Sequence, residues 1–254
     1  MIILIMVSLL PKTEQTYKNN LSVDKMTSLE ALKFMINDQK KVFNIISKSV
    51  EQINQIVLAA SNHLMNSSNG RIIYCGAGTS GRIGVQDGSE LYPTFGWPKK
   101  RFNFAIAGGK AALIESIEGA EDNKKKAKDH AKKMGVNNKD FVIGIAASGN
   151  TPFTCSFLDF CQSRNALTLS ISNNPNGELL KYGTFKIILD TGAEVVAGST
   201  RLKAGTAQKI CLNLLSTSIM IKMGKVKNGM MSNLVATNEK LKKRKAYIDF
   251  MLNS

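Results

Sequence analysis

Apolar positions recur along this chain in two different periods, and their alternation predicts the fold class on its own. Ile46, Val50, Ile53, Val57, Ala60 and Leu64 repeat at four-three-four spacing, which predicts one long amphipathic helix over about Lys41 to Met65. A shorter helix precedes it, capped by Thr27 or Ser28 and reaching Asp38, and the sequence NSSNG at Asn66–Gly70 closes the pair as a turn. Short apolar runs then follow at Ile72–Tyr74, Phe102–Ala107, Phe141–Ala147, Leu167–Ser172 and Phe185–Leu189. Such short unbroken runs read as strands buried on both faces.

Helical stretches separate the runs: Ala111–Ser116, Asp122–Met134 and a helix from Pro152 to Arg164, where proline suits the first turn. Gly192–Gly205 reads as a loop. Thr206–Met223 is a strong helix whose apolar face is Ala207, Ile210, Cys211, Leu214, Leu215 and Ile219, and a basic helix begins near Asn233. Strands alternating with helices imply an α/β fold with a parallel sheet covered on both faces. Ligands in such folds bind at the carboxyl ends of the strands. The division is residues 1–66 as a tail and N-terminal helices, 67–225 as the sheet domain, and 226–254 as a C-terminal helical segment.

Two strand ends carry unusual turns. Ile72–Tyr74 runs into Cys75-Gly76-Ala77-Gly78-Thr79-Ser80-Gly81, and Phe141–Ala147 runs into Ser148-Gly149-Asn150-Thr151-Pro152. Each offers hydroxyls and the unpaired N–H groups of a starting helix, where the dipole also favours an anion. Either turn alone is more often a capping arrangement, but two at adjacent strand ends point to a phosphate cradle of Thr79, Ser80, Ser148, Asn150 and Thr151. The spacing Gly76-x-Gly78-x-x-Gly81 also fits a dinucleotide fingerprint, a weak match without an acidic residue after a second strand. A phosphate monoester is the better ligand.

Composition narrows the chemistry. The chain has 254 residues, 43% apolar and 21% charged, which is ordinary for one globular domain with additions. A net charge of +15 is not ordinary and raises nucleic acid or an anionic membrane as partners. Lys124, Lys125, Lys126, Lys128, Lys132 and Lys133 fall on one presumed helix surface without interleaved aromatics. A solvated basic face, which would also draw in an anionic substrate, is preferred to a nucleic-acid surface. The four cysteines form no Cys-x-x-Cys pair, so reduced thiols in a cytoplasmic protein are expected. The opening MIILIMVSLLP is apolar for ten residues only, too short to span a bilayer, and lacks the basic start and small-residue cleavage site of a secretory signal.

With two histidines far apart, neither a zinc site nor a Ser-His-Asp triad is expected, and acid–base work falls to carboxylates, lysines or tyrosines. Glu90, ahead of Leu91-Tyr92-Pro93, is a candidate because apolar surroundings raise a carboxyl pKa; a surface pair at a helix end is the competing reading. Glu118 and Glu121 stand three residues apart around Gly119, and an exposed acidic helix start, favoured by the dipole, is the competing reading. Ser199 to Thr206, with Ser199 and Lys203, offers hydroxyls and cations before a helix, or simply an N-cap with cations facing water.

Six ordered stretches resemble one known family: GAGTSGR at Gly76–Arg82, SE-x-x-PTFG at Ser89–Gly96 (with Thr94 and Phe95), EGAED at Glu118–Asp122, GIAASG-x-TP at Gly144–Pro152, GSTRLKAGTAQK at Gly198–Lys209 and ATNEKL at Ala236–Leu241. Together, over roughly Glu14 to Leu241, they resemble the N-acetylmuramic acid 6-phosphate etherases of the sugar isomerase (SIS) group. The resemblance implies a three-layer α-β-α sandwich with a five-stranded parallel sheet, a homodimer, and no metal or redox cofactor. It implies cleavage of the D-lactyl ether of N-acetylmuramic acid 6-phosphate by elimination and water addition; the lysine pattern and the short apolar start separately argue for no nucleic-acid and no membrane partner. The family's acid position falls on Glu90 and its second functional glutamate on Glu121, to which C2 proton abstraction is assigned; Thr79, Ser80, Ser148, Asn150, Thr151, Glu118, Ser199 and Lys203 would bind substrate. A non-catalytic sugar-phosphate sensor like the glucokinase regulatory protein shares much of this motif set and is the alternative. The chain departs from the family at Leu91-Tyr92, where Cys-Pro is usual, and at Asn150, where Arg is usual; the family continues past ATNEKL into a small helical domain, so the segment after Val226 reads as truncated.

Overall fold

The computed structural model describes residues 10–17 and 22–253; residues 1–9 of the apolar opening lie outside them. Five parallel strands form one sheet in the order β2-β1-β3-β4-β5, with β1 Ile72–Gly76, β2 Phe102–Ile106, β3 Phe141–Ala146, β4 Leu167–Ser172 and β5 Phe185–Ile188. Register is continuous through the centre: Gly76 pairs with Ile106 on one side and Ile145 on the other. Because strand side chains alternate between faces, the sheet divides two cores. Ile72, Tyr74, Ile143, Ile145, Leu169 and Ile171 belong to one. Ile73, Cys75, Ala105, Val142 and Ala146 belong to the other.

α1 Ser28–Gln39 packs outside the first core, which is roofed by α2 Lys41–Ser47, α3 Val50–Met65, α4 Gly78–Ser89, the short α5 Leu91–Phe95 and, after α6 Lys124–Lys133 and α7 Pro152–Ser163 in the chain, the long α8 Lys203–Lys222. The second core is covered by α6 and α7. This is the expected three-layer sandwich preceded by N-terminal helices, and α9 Glu239–Asn253 closes the described chain. Thr27 caps α1 through a full capping box, its hydroxyl accepting from the Glu30 N–H while the Glu30 carboxylate accepts from the Thr27 N–H.

The single long helix predicted from Lys41 to Met65 is two. It breaks at Lys48–Ser49, where the Ser49 N–H donates to Ile46 O at 2.8 Å, three residues back rather than four. Most of the apolar stripe survives the break: Ile46, Ile53, Val57, Ala60 and Leu64 are buried, whereas Val50, the first residue of the second helix, is exposed. The 111–116 segment is a tighter 3-10 turn at Gly109–Leu113, and α8 begins a turn earlier than its apolar pattern indicates. The lysines of α6 are exposed, with Ala127 and Ala131 turned inward, as a solvated basic face requires. Among the described residues no helix is long and apolar enough to cross a membrane.

Candidate active site

Both singled-out turns lie at the carboxyl end of the sheet, on the neighbouring strands β1 and β3. The first is built by close approach. A Cβ on Gly76 would sit 2.8 Å from the Gly81 nitrogen, and one on Gly81 would sit 2.8 Å from Ile106 Cγ1, so only glycines let α4 start directly against the strand tip. Gly78 has φ +51° and open space where a side chain would be. The N-cap of α4 is Ala77, which offers no side-chain acceptor, so the first-turn N–H groups keep no internal partner. Thr151, the N-cap of α7, also makes no side-chain cap bond, and Pro152 follows it. In that second turn the Ser148 hydroxyl accepts from the Asn150 N–H at 3.1 Å, shaping the loop.

These turns share a cavity of about 370 Å³ whose lining includes Thr79, Ser80, Ser148, Asn150, Thr151 and Glu121. All five expected cradle residues and one of the two expected catalytic glutamates are therefore brought together. Smaller hollows extend it on both sides. One of about 190 Å³ shares Ala77, Gly78 and Glu121 and adds Glu118 and Arg82; one of about 250 Å³ shares Ser148 and Asn150 and adds Lys12 and Asn174. The result is a trough over the strand tips, rich in hydroxyls and N–H donors, with carboxylates along one flank. Among the described residues, no cluster of three or more His, Cys, Asp and Glu side chains is placed to hold a metal ion.

Other expected site residues lie outside this cavity. Glu90 is not beside Glu121. It is exposed at the opposite end of α4, where it follows Ser89, and it does not line the cavity. Ten residues at helical rise put it about 15 Å from Ser80. The apolar residues that follow Glu90 in sequence are folded away from it: Leu91 is 1% exposed in the core, and Tyr92 stacks under Lys99 Nζ at 4.7 Å. Lys203 is not at the cavity either. It is 2% exposed, and its ammonium donates at 2.9 Å to both Asp38 carboxylate oxygens and to Ala193 O. Ser199 is replaced at the wall by its neighbours Gly198 and Thr200. Asn150, in the usual place of an arginine, turns its amide oxygen to the Glu178 N–H at 2.9 Å and so helps fasten the loop after β4.

Sequence reasoning missed Glu14, which lines the cavity from the N-terminal segment, and the buried network around Asp87. Asp87 accepts from the Tyr74 hydroxyl at 2.7 Å, Asn213 Nδ2 at 2.8 Å and the Ser216 hydroxyl at 3.1 Å. Burial raises its pKa, against the lowering effect of those three donors. This network ties the end of α4 that carries Glu90 to β1 and α8. Nothing local marks it in the sequence, since each partner lies 13 or more residues from Asp87. All four cysteines are free and buried, and burial pushes the Cys155 and Cys211 thiols up to about 12.

The chain is similar to several known proteins. The model of the glucokinase regulatory protein N-terminal SIS domain matches residues 51–162. An N-acetylmuramic acid 6-phosphate etherase of Bacillus cereus is 44% identical over 232 residues, covering 91% of this chain and 78% of that protein. One from Mycoplasma mycoides subsp. mycoides is 43% identical over 233 residues, covering 92% and 76%. Among solved structures, a ligand complex of an E. coli CFT073 protein superposes with TM-score 0.59 at 14% identity, covering 80% of this chain and 97% of that one. The Vibrio vulnificus NanR protein complexed with ManNAc-6P superposes with TM-score 0.51 at 14% identity, covering 89% and 70%.

Proposed function

The chain belongs to the N-acetylmuramic acid 6-phosphate etherase family, and we propose from that premise that it converts N-acetylmuramic acid 6-phosphate and water to N-acetylglucosamine 6-phosphate and D-lactate. The observation that carries the reading is Glu121 on the wall of the same cavity that holds two uncapped, hydroxyl-rich turns. The phosphate sits against the N–H groups at the start of α4 and the hydroxyls of Thr79, Ser80, Ser148 and Thr151, where donors and helix dipole both favour negative charge. With the ester group fixed there, Glu121 takes the C2 proton of the open-chain aldehyde. The electron pair left on C2 forms the C2–C3 double bond, the C3–O bond breaks, and lactate departs with a proton from an acid. Water then adds across the double bond, its oxygen to C3 and a proton to C2, which restores the saturated sugar.

Glu90 fits the acid role only if it comes from another molecule, because its own cavity lies a helix length away. We therefore assign the active form as a homodimer in which Glu90 of the partner subunit completes the trough, protonating lactate and then deprotonating water. The buried free thiols and the absence of a Cys-x-x-Cys pair fit a cytoplasmic setting. The relatives' etherase names over nine-tenths of the chain favour this reading over a sensor without turnover.

Incubation with N-acetylmuramic acid 6-phosphate should release D-lactate, and Glu121→Gln should lower the rate about 10²–10⁴-fold. Mixing Glu90→Gln with Glu121→Gln protein tests the shared site. Two inactive variants should regain activity as hybrid dimers, which hold one intact site. A folded wild type that releases no lactate would sink the etherase reading, and an inactive mixture of exchanging subunits would sink the shared site.

A further inference from the structure

Residues 10–17 cross the strand tips as a strap. Lys12–Glu14 is a 3-10 turn. Thr13 is completely buried at its centre; its carbonyl accepts from the Gly198 N–H at 3.1 Å and its hydroxyl from Asn174 Nδ2 at 3.0 Å. The strap is held on either side of that point, by the Lys12–Asp190 ion pair and by the Tyr17 hydroxyl donating to Asp38 at 2.8 Å. Burying Thr13 turns Glu14 the other way, into the lining of the cavity that holds Ser80, Ser148 and Glu121. The Glu14 carboxylate makes no hydrogen bond or ion pair among the described residues, although its anchoring neighbours are tightly bonded. Gly198 makes room for it: Glu14 Oε2 lies 2.9 Å from where a Cβ on Gly198 would be.

A free carboxylate in this cavity does not serve the phosphate, which it repels. It serves a donor. The cradle side of the trough supplies N–H and O–H donors, so acceptors for a polyhydroxylated carbon chain come from carboxylates on the wall; Glu121 is occupied with the C2 proton, and Glu118 lines the adjoining hollow and not the cavity itself. Building on the etherase reading, we propose that Glu14 is a specificity-determining residue that accepts hydrogen bonds from hydroxyls of the sugar phosphate. It selects an open-chain amino-sugar phosphate over a bare phosphate ester, and it does so from the same chain that supplies the cradle.

The test compares Glu14→Ala and Glu14→Gln with the wild-type protein by calorimetry, using N-acetylglucosamine 6-phosphate and inorganic phosphate, alongside lactate kinetics and thermal melting. Removing one acceptor of a charge-assisted bond should weaken N-acetylglucosamine 6-phosphate binding about 10–100-fold in Glu14→Ala. Glu14→Gln, which keeps one acceptor oxygen, should recover part of that loss. Inorganic phosphate should bind both variants as well as wild type or better, and melting should not change, because the side chain holds nothing in the fold. Sugar-phosphate affinity within twofold of wild type overturns the proposal, as does a parallel loss of phosphate binding with lowered melting, which marks a structural role. A wild-type chain that neither binds sugar phosphate nor releases lactate overturns the etherase reading together with this proposal; a wild type that turns over beside an indifferent Glu14→Ala overturns the proposal alone.

Discussion

Two helices begin at the same end of the sheet and treat their first turns in opposite ways. At α4 the N-cap is an alanine, no side chain reaches the first N–H groups, and they face a cavity. At α8 the buried carboxylate of Glu194 accepts from the Lys203 N–H at 3.0 Å and the Ala204 N–H at 2.8 Å, while the Lys203 ammonium is held by Asp38. The two starts are neighbours: a Cβ on Gly205 would lie 3.3 Å from Thr79 Cγ2. Both carry the same dipole. A helix N-terminus keeps free donors only where the sequence withholds its own anion, and here it does so at one of two adjacent starts, the one we propose as the phosphate site.

The closed start is the structural half of the pair, so breaking it should cost stability most. Asp38 is 3% exposed and receives Lys203, Lys41 and Tyr17. Asp38→Ala leaves the Lys203 charge buried and unpaired, with an expected loss of about 3–5 kcal/mol in urea denaturation. Adding Lys203→Met should restore much of that loss, since the penalty belongs to the stranded charge. If the double variant is no more stable than the single one, the ion pair is not what holds α8 to α1.

Converting the open start into a closed one should abolish binding without harming the fold. Ala77 has the extended backbone of an N-cap, φ −123° and ψ 155°. Ala77→Asp therefore places an internal carboxylate on the same donors, adding about 0.5–2 kcal/mol of helix stability. Affinity for N-acetylglucosamine 6-phosphate should fall about 100-fold as the new charge takes the phosphate's place. Undiminished binding in a calorimetric titration would show that the α4 donors are not the cradle.

The contrast between the two starts also explains what the sequence disclosed. The open start was legible because its requirements are local: three glycines, two hydroxyl residues and a strand in front of them lie within ten positions, and short-range rules read such clusters well. The strand runs were legible for the same reason. The closed start was not, because Glu194 with Lys203, and Lys203 with Asp38, are matched by packing between elements up to 165 residues apart. Lys203 therefore read as a cation facing water or substrate. Glu90 stands outside the cavity of its own chain for a related reason: its apolar neighbours in sequence are not its neighbours in space. Glu14 sits in a stretch with no periodicity, and only the burial of Thr13 beside it gives it a direction.

The acid–base behaviour of the closed start offers a finer test. Burial raises the Glu194 pKa above its ordinary 4.5, against the lowering effect of the two backbone donors and Lys203. A raised carboxyl pKa contributes stability that is fully present below the unfolded value and is lost as pH rises through the folded one. Asp38 has the opposite sign: burial pushes it up, but the bonds from Lys203, Lys41 and Tyr17 outweigh that and hold it below 3.8. Its contribution is present above that value and is lost as pH falls through the folded one. Glu194→Gln should cost about 1.5–3 kcal/mol near pH 4, where the wild type keeps its advantage. The gap should narrow as pH climbs past 4.5 towards neutrality, when urea curves are compared across that range. A gap that widens instead would mean that the carboxylate is stabilised in its ionised form and that burial does not dominate there.

The smallest effect separates the two roles of glycine at the open start. Gly76 is fixed by contact, whereas Gly78 has nothing within 4 Å of where a Cβ would lie and is fixed only by its φ of +51°. Gly78→Ala should therefore fold and lose about 1–2 kcal/mol from backbone strain alone. Its methyl group meets no protein atom within 4 Å, and although Gly78 lines the cavity, the loss of phosphate affinity should be smaller than that of Gly76→Ala. Gly76→Ala, forced against the Gly81 nitrogen, has to push α4 away from the strand tip and should weaken both. If Gly78→Ala loses as much phosphate affinity as Gly76→Ala, then the helix start is being read by the ligand as a backbone conformation, and the distance between strand and helix is not the controlling feature of the cradle.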